Sequence, residues 1–151
     1  MTVQALDEQK LGMFMSKILG DLSATMISLL CNVGDRLGLF KWLASSGPAR
    51  VDEFATGCGI NPRYAEEWLR ALTSAGYLEY DAAAKRFHLP PEHAMALADE
   101  GGPMFIGGTY HQLPALVAPL DVLTQAFNYG GGVPQSAYPS TFWDGFERFS
   151  G

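Results

Sequence analysis

Residues 51–89 have the sequence VDEFATGCGINPRYAEEWLRALTSAGYLEYDAAAKRFHL. Asp52 can cap a first helix over residues 51–56, which the Gly57-Cys58-Gly59 turn would close. A second helix has a clearer start, because Asn61 can cap it and Pro62 stands at the first helical position, where a missing N–H costs nothing. Apolar residues then recur at three- and four-residue spacing until Gly76, namely Ala65, Trp68, Leu69, Leu72 and Ala75. One face of the second helix should therefore lie in a core.

Two short runs that alternate, or nearly alternate, in polarity follow the second helix. Residues 77–80 and 86–89 flank the sequence DAAA at 81–84, which suits a β-hairpin with a four-residue loop. Helix, turn, helix and hairpin in this order are typical of a winged helix-turn-helix. The hairpin would be the wing, and it is the only β signal in the chain. The fold class predicted is mainly α, with residues 51–89 as a central unit between helical segments at 1–50 and 90–151.

Composition favours a cytoplasmic globular protein. The chain has 151 residues, 48% of them hydrophobic, and a net charge of −6, which disfavours contact with a phosphate backbone. Cys31 and Cys58 have no metal-ligand spacing around them and are interpreted as small apolar residues of a reducing compartment. We expect no metal site, since the histidines at 88, 93 and 111 are scattered, with His88 outward on the wing and His93 on a solvated helix face.

The N-terminal segment predicts two helices, at about 7–19 and 21–39, and a short continuation at 40–44 before the loop SSGP at 45–48. The first has apolar residues on much of its surface, and too little chain precedes it to cover both sides. We therefore expect it to pack on another subunit. No apolar run approaches the roughly 18 residues of a membrane span, and no signal peptide is evident.

The C-terminal segment predicts a short helix at 90–98 and a long apolar helical region at 104–128. Pro114 and Pro119 must kink or restart that region, with Asp121 as a fresh N-cap. A glycine-rich loop at 129–134 and an irregular stretch at 135–140 precede a final helix from about 141 to 149. The chain stops as that helix gets under way.

Candidate site residues are few. Tyr110 and His111 are polar and aromatic within an apolar helix; a satisfied core histidine is the ordinary interpretation, and a ligand contact is the alternative. Tyr138 and Trp143 could line the mouth of an apolar pocket or only pack the last helix. For DNA, Arg63 and Arg70 would face the major groove, but residues 51–89 carry four basic and six acidic side chains, 4 − 6 = −2. Nucleic-acid binding is therefore disfavoured.

Four phrases carry a resemblance to a known family: RLGLF at 36–40, GINPRYAEEWL at 59–69, FHLPPEHA at 87–94 and GGGVPQSAYP at 130–139. They resemble the N-terminal part of bacterial S-adenosylmethionine-dependent small-molecule methyltransferases, some of which are labelled transcriptional regulators. The resemblance implies an intertwined homodimer through the N-terminal helices. It also implies later helices that cover the substrate pocket of a Rossmann-like catalytic domain. The helix with Tyr110 and His111 and the loop 130–138 would act as a substrate lid.

The cofactor loop of such enzymes would lie beyond Gly151, so this chain alone should bind no S-adenosylmethionine. The first hypothesis is accordingly a dimerisation and substrate-capping domain, either a truncated product or a naturally short relative, for a small apolar or aromatic substrate and without a membrane partner. A second is a winged-helix regulator that binds DNA and a hydrophobic effector. A third is a small hydrolase with His111 as base and Tyr110, Ser136 or Tyr138 nearby.

Overall fold

The computed structural model describes residues 6–144. In chain order its elements are α1 (Glu8–Arg36), α2 (Leu39–Ser46), α3 (Val51–Cys58), α4 (Pro62–Ser74), β1 (Glu79–Asp81), β2 (Arg86–His88), α5 (Pro91–Leu97), α6 (Gly107–Val117) and α7 (Leu120–Tyr129), followed by a 3-10 turn at Gln135–Ala137. The prediction of a mainly helical fold with a winged helix-turn-helix and a small hairpin is confirmed.

The N-terminal segment forms one helix, so the prediction of separate helices at 7–19 and 21–39 was wrong. Asp7 caps α1 by accepting a hydrogen bond from the Lys10 N–H at 3.0 Å. Gly20 weakens helix propensity by about 1 kcal/mol but leaves every backbone hydrogen bond possible, so the helix continues through it. It ends at Arg36, because Gly38 adopts a left-handed φ of 68° from which α2 starts at Leu39.

The helix-turn-helix begins differently from the expectation and continues as expected. Asp52 is not the cap of α3; instead the Glu53 carboxylate accepts a hydrogen bond from the Arg50 N–H at 2.9 Å. α3 runs through Gly57 to Cys58, since it is Gly59 that takes the left-handed φ of 66°. Asn61 does cap α4, by accepting from the N–H of Arg63 at 3.0 Å, with Pro62 as first residue.

The wing is an antiparallel pair of three-residue strands. Glu79 pairs with His88, Tyr80 with Phe87 and Asp81 with Arg86. The loop does have four residues, but they are 82–85 rather than 81–84, because Asp81 belongs to β1. The Asp81 carboxylate accepts hydrogen bonds from the N–H groups of Ala83 and Ala84. The Arg86 guanidinium binds both oxygens of Glu53, at 2.9 and 3.1 Å. This bidentate pair joins the wing to the start of α3.

Trp68 of α4 is the centre of the core. Its ring meets Phe40 edge-on at 5.1 Å and stacks on Phe54 at 5.8 Å. Its indole N–H donates to the Leu30 carbonyl of α1 at 2.9 Å. α1 passes so close at Gly34 that an added Cβ would stand 2.6 Å from a Trp68 ring carbon. The indole therefore holds the last turns of α1 against the winged unit.

Proline organises the C-terminal helices in two different ways. α6 starts at Gly107, three residues later than the predicted region, and contains Pro114 without ending there. Pro119 separates α6 from α7, and Asp121 lies in the first turn of α7 rather than capping it. Residues 135–137 form a 3-10 turn where irregular chain was expected. The predicted final helix at 141–149 has begun by residue 141, and its remainder lies outside the described residues.

The first two-thirds of α1 lie outside the core. Every residue from 6 to 26 is exposed, and buried positions start only near residue 31. α1 is 29 residues long, and an 18-residue window within it has a mean hydropathy of 1.3, which by length and composition alone suffices for a helix that crosses a membrane. The expectation that no such run exists was therefore wrong. A helix apolar on several sides needs cover from protein or from lipid, and length and composition do not distinguish the two.

Candidate functional site

Tyr110 joins three parts of the fold. Its hydroxyl lies 2.8 Å from the Tyr77 hydroxyl, and its carbonyl accepts a hydrogen bond from the Asn32 side chain of α1 at 2.8 Å. The thiol of Cys31, which is fully buried, also interacts with both tyrosines. Burial raises the pKa of Cys31 to about 11 and raises the pKa of Tyr110. Both groups therefore stay protonated near neutral pH and act as hydrogen-bonding groups.

His111 faces a different neighbour. Its Nδ1 lies 3.6 Å from an Asp35 carboxylate oxygen of α1, and the Asp35 side chain is only 4% exposed. This distance exceeds that of a hydrogen bond, and Nδ1 is buried with no hydrogen-bond partner among the described residues. The ordinary interpretation of a satisfied core histidine therefore lacks its hydrogen bond. Asn32 and Asp35, one turn apart on α1, lie against two consecutive residues of α6, the first through a hydrogen bond to Tyr110 and the second beside His111 at 3.6 Å.

A cleft of about 300 Å³ lies beside Tyr110, between the end of α4, α5 and α6. Tyr77, Glu92, His93 and Tyr110 supply its polar groups. The expectation that His93 lies on a solvated helix face was wrong, because its ring is partly buried and Nδ1 lies 2.8 Å from the Tyr77 carbonyl. His88 is also only partly exposed, and its Nε2 lies 3.2 Å from a Glu79 carboxylate oxygen across the wing.

Tyr138 and Trp143 are placed apart from this cleft. Tyr138 packs on Phe142 at 5.1 Å, and Phe142 meets Trp143 edge-on at 5.0 Å, so the three rings form a local ladder after the 3-10 turn. The cleft beside Tyr110 is lined by none of Tyr138, Trp143 and His111. The structure thus brings Tyr110 into a cleft and leaves the other three candidates elsewhere.

The exposed face of α4 is electrically self-paired. Arg70 donates to Glu66, one turn earlier, at 2.6 and 3.0 Å. Arg50 pairs with Asp52 at 3.3 Å, which raises the pKa of Arg50 and lowers that of Asp52. A groove of about 580 Å³ between α3, α4 and the wing therefore contains arginines that already have carboxylate partners. Among residues 6–144, Arg63 and Lys85 are the bases of this region without an ion pair.

An apolar groove of about 670 Å³ lies between α2, α5 and β2. Leu43, Leu89 and Met95 contribute to its walls, and Lys41 at its edge pairs with Glu100 at 2.9 Å. Sequence reasoning missed this groove, as it missed Asn32, Asp35 and Tyr77. Each acts through a neighbour more than 30 positions away in the chain, so no local motif announces it. For the polar groups of the cleft beside Tyr110, the adjacent pair Glu92-His93 was a signal visible in the sequence.

A family model for the Rv2258c-like winged HTH domain matches residues 25–99. No curated protein matches the sequence of this chain. Among solved structures, the mitomycin 7-O-methyltransferase MmcR aligns at TM-score 0.73 and 16% identity over 96% of this chain and 45% of that one. Human N-acetylserotonin methyltransferase in complex with SAM aligns at 0.67 and 17% identity, over 92% and 40%. The N,N-8-amino-8-demethyl-D-riboflavin dimethyltransferase RosA from Streptomyces davawensis aligns at TM-score 0.64 and 18% identity, over 96% of this chain and 43% of that one.

This chain spans less than half the length of these three structures. Between residues 6 and 144 the sheet is a two-stranded antiparallel hairpin, and no strand–glycine loop–helix unit is present to cradle S-adenosylmethionine. The described residues therefore do not fit that cofactor. Residues 25–99 match the model of the Rv2258c-like winged HTH domain, and the fold around them is similar to part of the fold of these solved methyltransferases.

Proposed function

We propose that this chain is the dimerisation and substrate-capping region of an S-adenosylmethionine-dependent small-molecule methyltransferase. The observation that carries the proposal is the exposed apolar surface of α1. The side chains of Leu11, Met15, Ile18, Leu22, Leu29 and Val33 are all 36% or more exposed. Their spacing of mostly three and four residues aligns them along one side of the helix.

This stripe is suited to a second copy of the same helix. Residues 8–26 of α1 extend over roughly 28 Å at 1.5 Å per residue, and every one of them is exposed. An apolar face of this length on a soluble protein marks an interaction surface, and two-fold pairing of identical surfaces is the commonest solution. The few charges of this part of the helix include Lys17 and Asp21, which pair with each other at 2.6 Å. They therefore leave the stripe uninterrupted.

The capping role rests on the C-terminal helices α6 and α7. Large apolar side chains of α6 and α7 are exposed, with Phe127 at 86% and Tyr129 at 87%. The solved methyltransferases that share the fold are more than twice as long as this chain. A domain following α7 would find these side chains ready to cover an apolar or aromatic substrate. The methyl donor would be bound by that domain and not by residues 6–144.

Light scattering coupled to size-exclusion chromatography tests the dimer. The wild-type chain should elute as a dimer at micromolar concentration, and Ile18→Glu/Leu22→Glu should elute as a folded monomer. Ser16→Glu/Ser23→Glu is the matched control, because it adds the same charge to exposed positions on another side of α1. A monomeric wild type, or equal effects of the two double variants, would contradict the proposal. So would flotation of wild-type protein with phospholipid vesicles without dimer formation.

A further inference from the structure

The cleft beside Tyr110 has polar groups whose chemistry is specific enough to define a ligand. Its volume is about 300 Å³, at the lower end for small-molecule sites, which limits an occupant to about one ring and a short substituent. Ala96, Leu97 and Ile106 provide apolar wall. The polar groups converge from three elements, so the cleft is not the surface of a single helix.

The hydrogen bond of His93 fixes its proton. Nδ1 lies 2.8 Å from the Tyr77 carbonyl oxygen, and because a carbonyl can only accept, Nδ1 must carry the hydrogen. In the neutral imidazole Nε2 is then unprotonated and can only accept. Nε2 has no hydrogen-bond partner among the described residues and is not enclosed by them. His93, which lines the cleft, therefore has a free acceptor at Nε2.

The groups beside His93 also favour a ligand that donates hydrogen bonds. Glu92 is an exposed carboxylate at the cleft, and no ion pair engages it within residues 6–144. The hydroxyls of Tyr77 and Tyr110 bond to each other, so their aromatic rings are what the pair chiefly offers to a ligand. A carboxylate, an imidazole acceptor and two phenol rings all favour a cationic hydrogen-bond donor.

The geometry points to a binding site for a small organic ammonium ion, with Glu92 and His93 accepting hydrogen bonds from its nitrogen and Tyr77 and Tyr110 contacting its apolar body. A neutral alcohol of the same shape loses the charge interaction with Glu92, and a carboxylate is repelled by it. The site stands independently of the dimer and of any methyl transfer, since all its residues lie within one chain.

Benzylammonium is a suitable probe, with benzyl alcohol and benzoate as controls that share its ring. In ¹H–¹⁵N correlation spectra at mildly alkaline pH, benzylammonium should shift amide signals of residues 75–77, 92–97 and 106–110. Benzyl alcohol should bind at least ten-fold more weakly, and benzoate should give no shifts at the same millimolar concentration. Equal affinity for the alcohol, or no shifts with benzylammonium, would overturn the assignment.

Three variants connect the binding to the named groups. Glu92→Gln removes the charge and keeps the shape, and His93→Asn can keep a donor to the Tyr77 carbonyl while removing the Nε2 acceptor. Each should weaken benzylammonium binding at least ten-fold without changing the fold seen by circular dichroism. Glu67→Gln removes an exposed carboxylate elsewhere, on α4, and should leave the affinity unchanged. Equal weakening by Glu67→Gln and Glu92→Gln would show attraction to general negative charge and overturn the site.

Discussion

Tyr110 and Cys31 show how individual side chains connect distant parts of this chain. Tyr110 contacts Tyr77 through its hydroxyl and Asn32 through its carbonyl, so it links α6 to α1 and to the residues that follow α4. Cys31 lies behind this contact and interacts with both tyrosines. Polar atoms in this position must have partners, because a buried group without one costs about 1–3 kcal/mol.

Cys31 should be almost inert towards thiol reagents in the folded protein. Burial raises its pKa to about 11, so at pH 8 only about one thiol in a thousand is ionised. In a Cys58→Ser variant, Ellman's reagent should modify Cys31 slowly in buffer and completely within the mixing time in guanidinium. Burial also raises the pKa of Cys58 to about 11, so wild-type protein should show one earlier reaction at Cys58 only because this thiol is partly exposed to the reagent. Fast labelling of Cys31 in the folded variant would show that the tyrosine pair does not shield it.

At the scale of elements, contacts between helices and strands follow from a few exceptional residues. α1 and α4 meet where Gly34 allows the Trp68 ring to approach, and the wing meets α3 where Arg86 binds Glu53. Sequence patterns predicted α4 and the wing well, because the Asn61-Pro62 start and the alternation around residues 81–84 are local signals. They failed at α1, where separate helices were predicted at 7–19 and 21–39 although one helix continues through Gly20.

The difference between local sequence signals and contacts made only by the fold also explains which residues of the candidate site could be predicted. Tyr110 was singled out because a polar residue interrupts an apolar helix, which is visible in sequence. Its partners Asn32 and Tyr77 are 78 and 33 positions away, and only the packing of α6 on α1 brings them together. Asp35, likewise, is an ordinary charged residue near a helix end until α6 covers it beside His111.

Replacing Gly34 should weaken the α1–α4 contact. A Cβ at Gly34 would stand 2.6 Å from Trp68 and 2.9 Å from Phe40, so one ring must move. Gly34→Ala should lower the free energy of unfolding by about 2 kcal/mol, as overpacking does, and should alter tryptophan fluorescence. Gly20→Ala is the control, since a Cβ there meets nothing within 4 Å of the same chain. It should stabilise slightly through helix propensity. Urea titration measures both, and equal behaviour of the two variants would contradict the close approach.

The ion pair between Arg86 of the wing and Glu53 of α3 should be sensitive to acid. The Arg50 N–H and then the Arg86 guanidinium lower the pKa of Glu53. A carboxyl whose pKa is lower in the folded state stabilises the fold above its unfolded pKa, near 4.3, and this contribution is lost as pH falls through the folded value. Glu53→Gln should therefore be less stable than wild type at neutral pH, and the difference should shrink below about pH 4. Urea titrations across pH check this, with Glu67→Gln expected to follow wild type throughout.

At the scale of the whole molecule, the charged side chains around α4 and the exposed apolar side chains of α1, α6 and α7 indicate different uses for these surfaces. The net charge is −6, and the basic side chains nearest α4 are mostly engaged by their own acids. The exposed apolar residues lie instead on α1 and on α6 and α7. A winged helix with this distribution has its main attractive surfaces at the two ends of the chain and not on the helix that would enter a DNA groove.

We therefore expect this chain not to bind DNA. A groove-reading helix gains affinity from released counterions, and each phosphate contact requires an available base. Arg70 is held by Glu66 at 2.6 Å, and reaching a phosphate would leave that carboxylate facing the same backbone. Electrophoretic mobility shifts on mixed duplexes at low salt should show no complex, and Arg63→Glu/Arg70→Glu should behave like wild type.

A complex whose affinity falls steeply with salt and disappears in that variant would instead identify α4 as a working recognition helix. In that case the ion pair between Arg70 and Glu66 would have to open on binding. The single variant Glu66→Gln, which removes the paired charge, should then bind DNA more tightly than wild type.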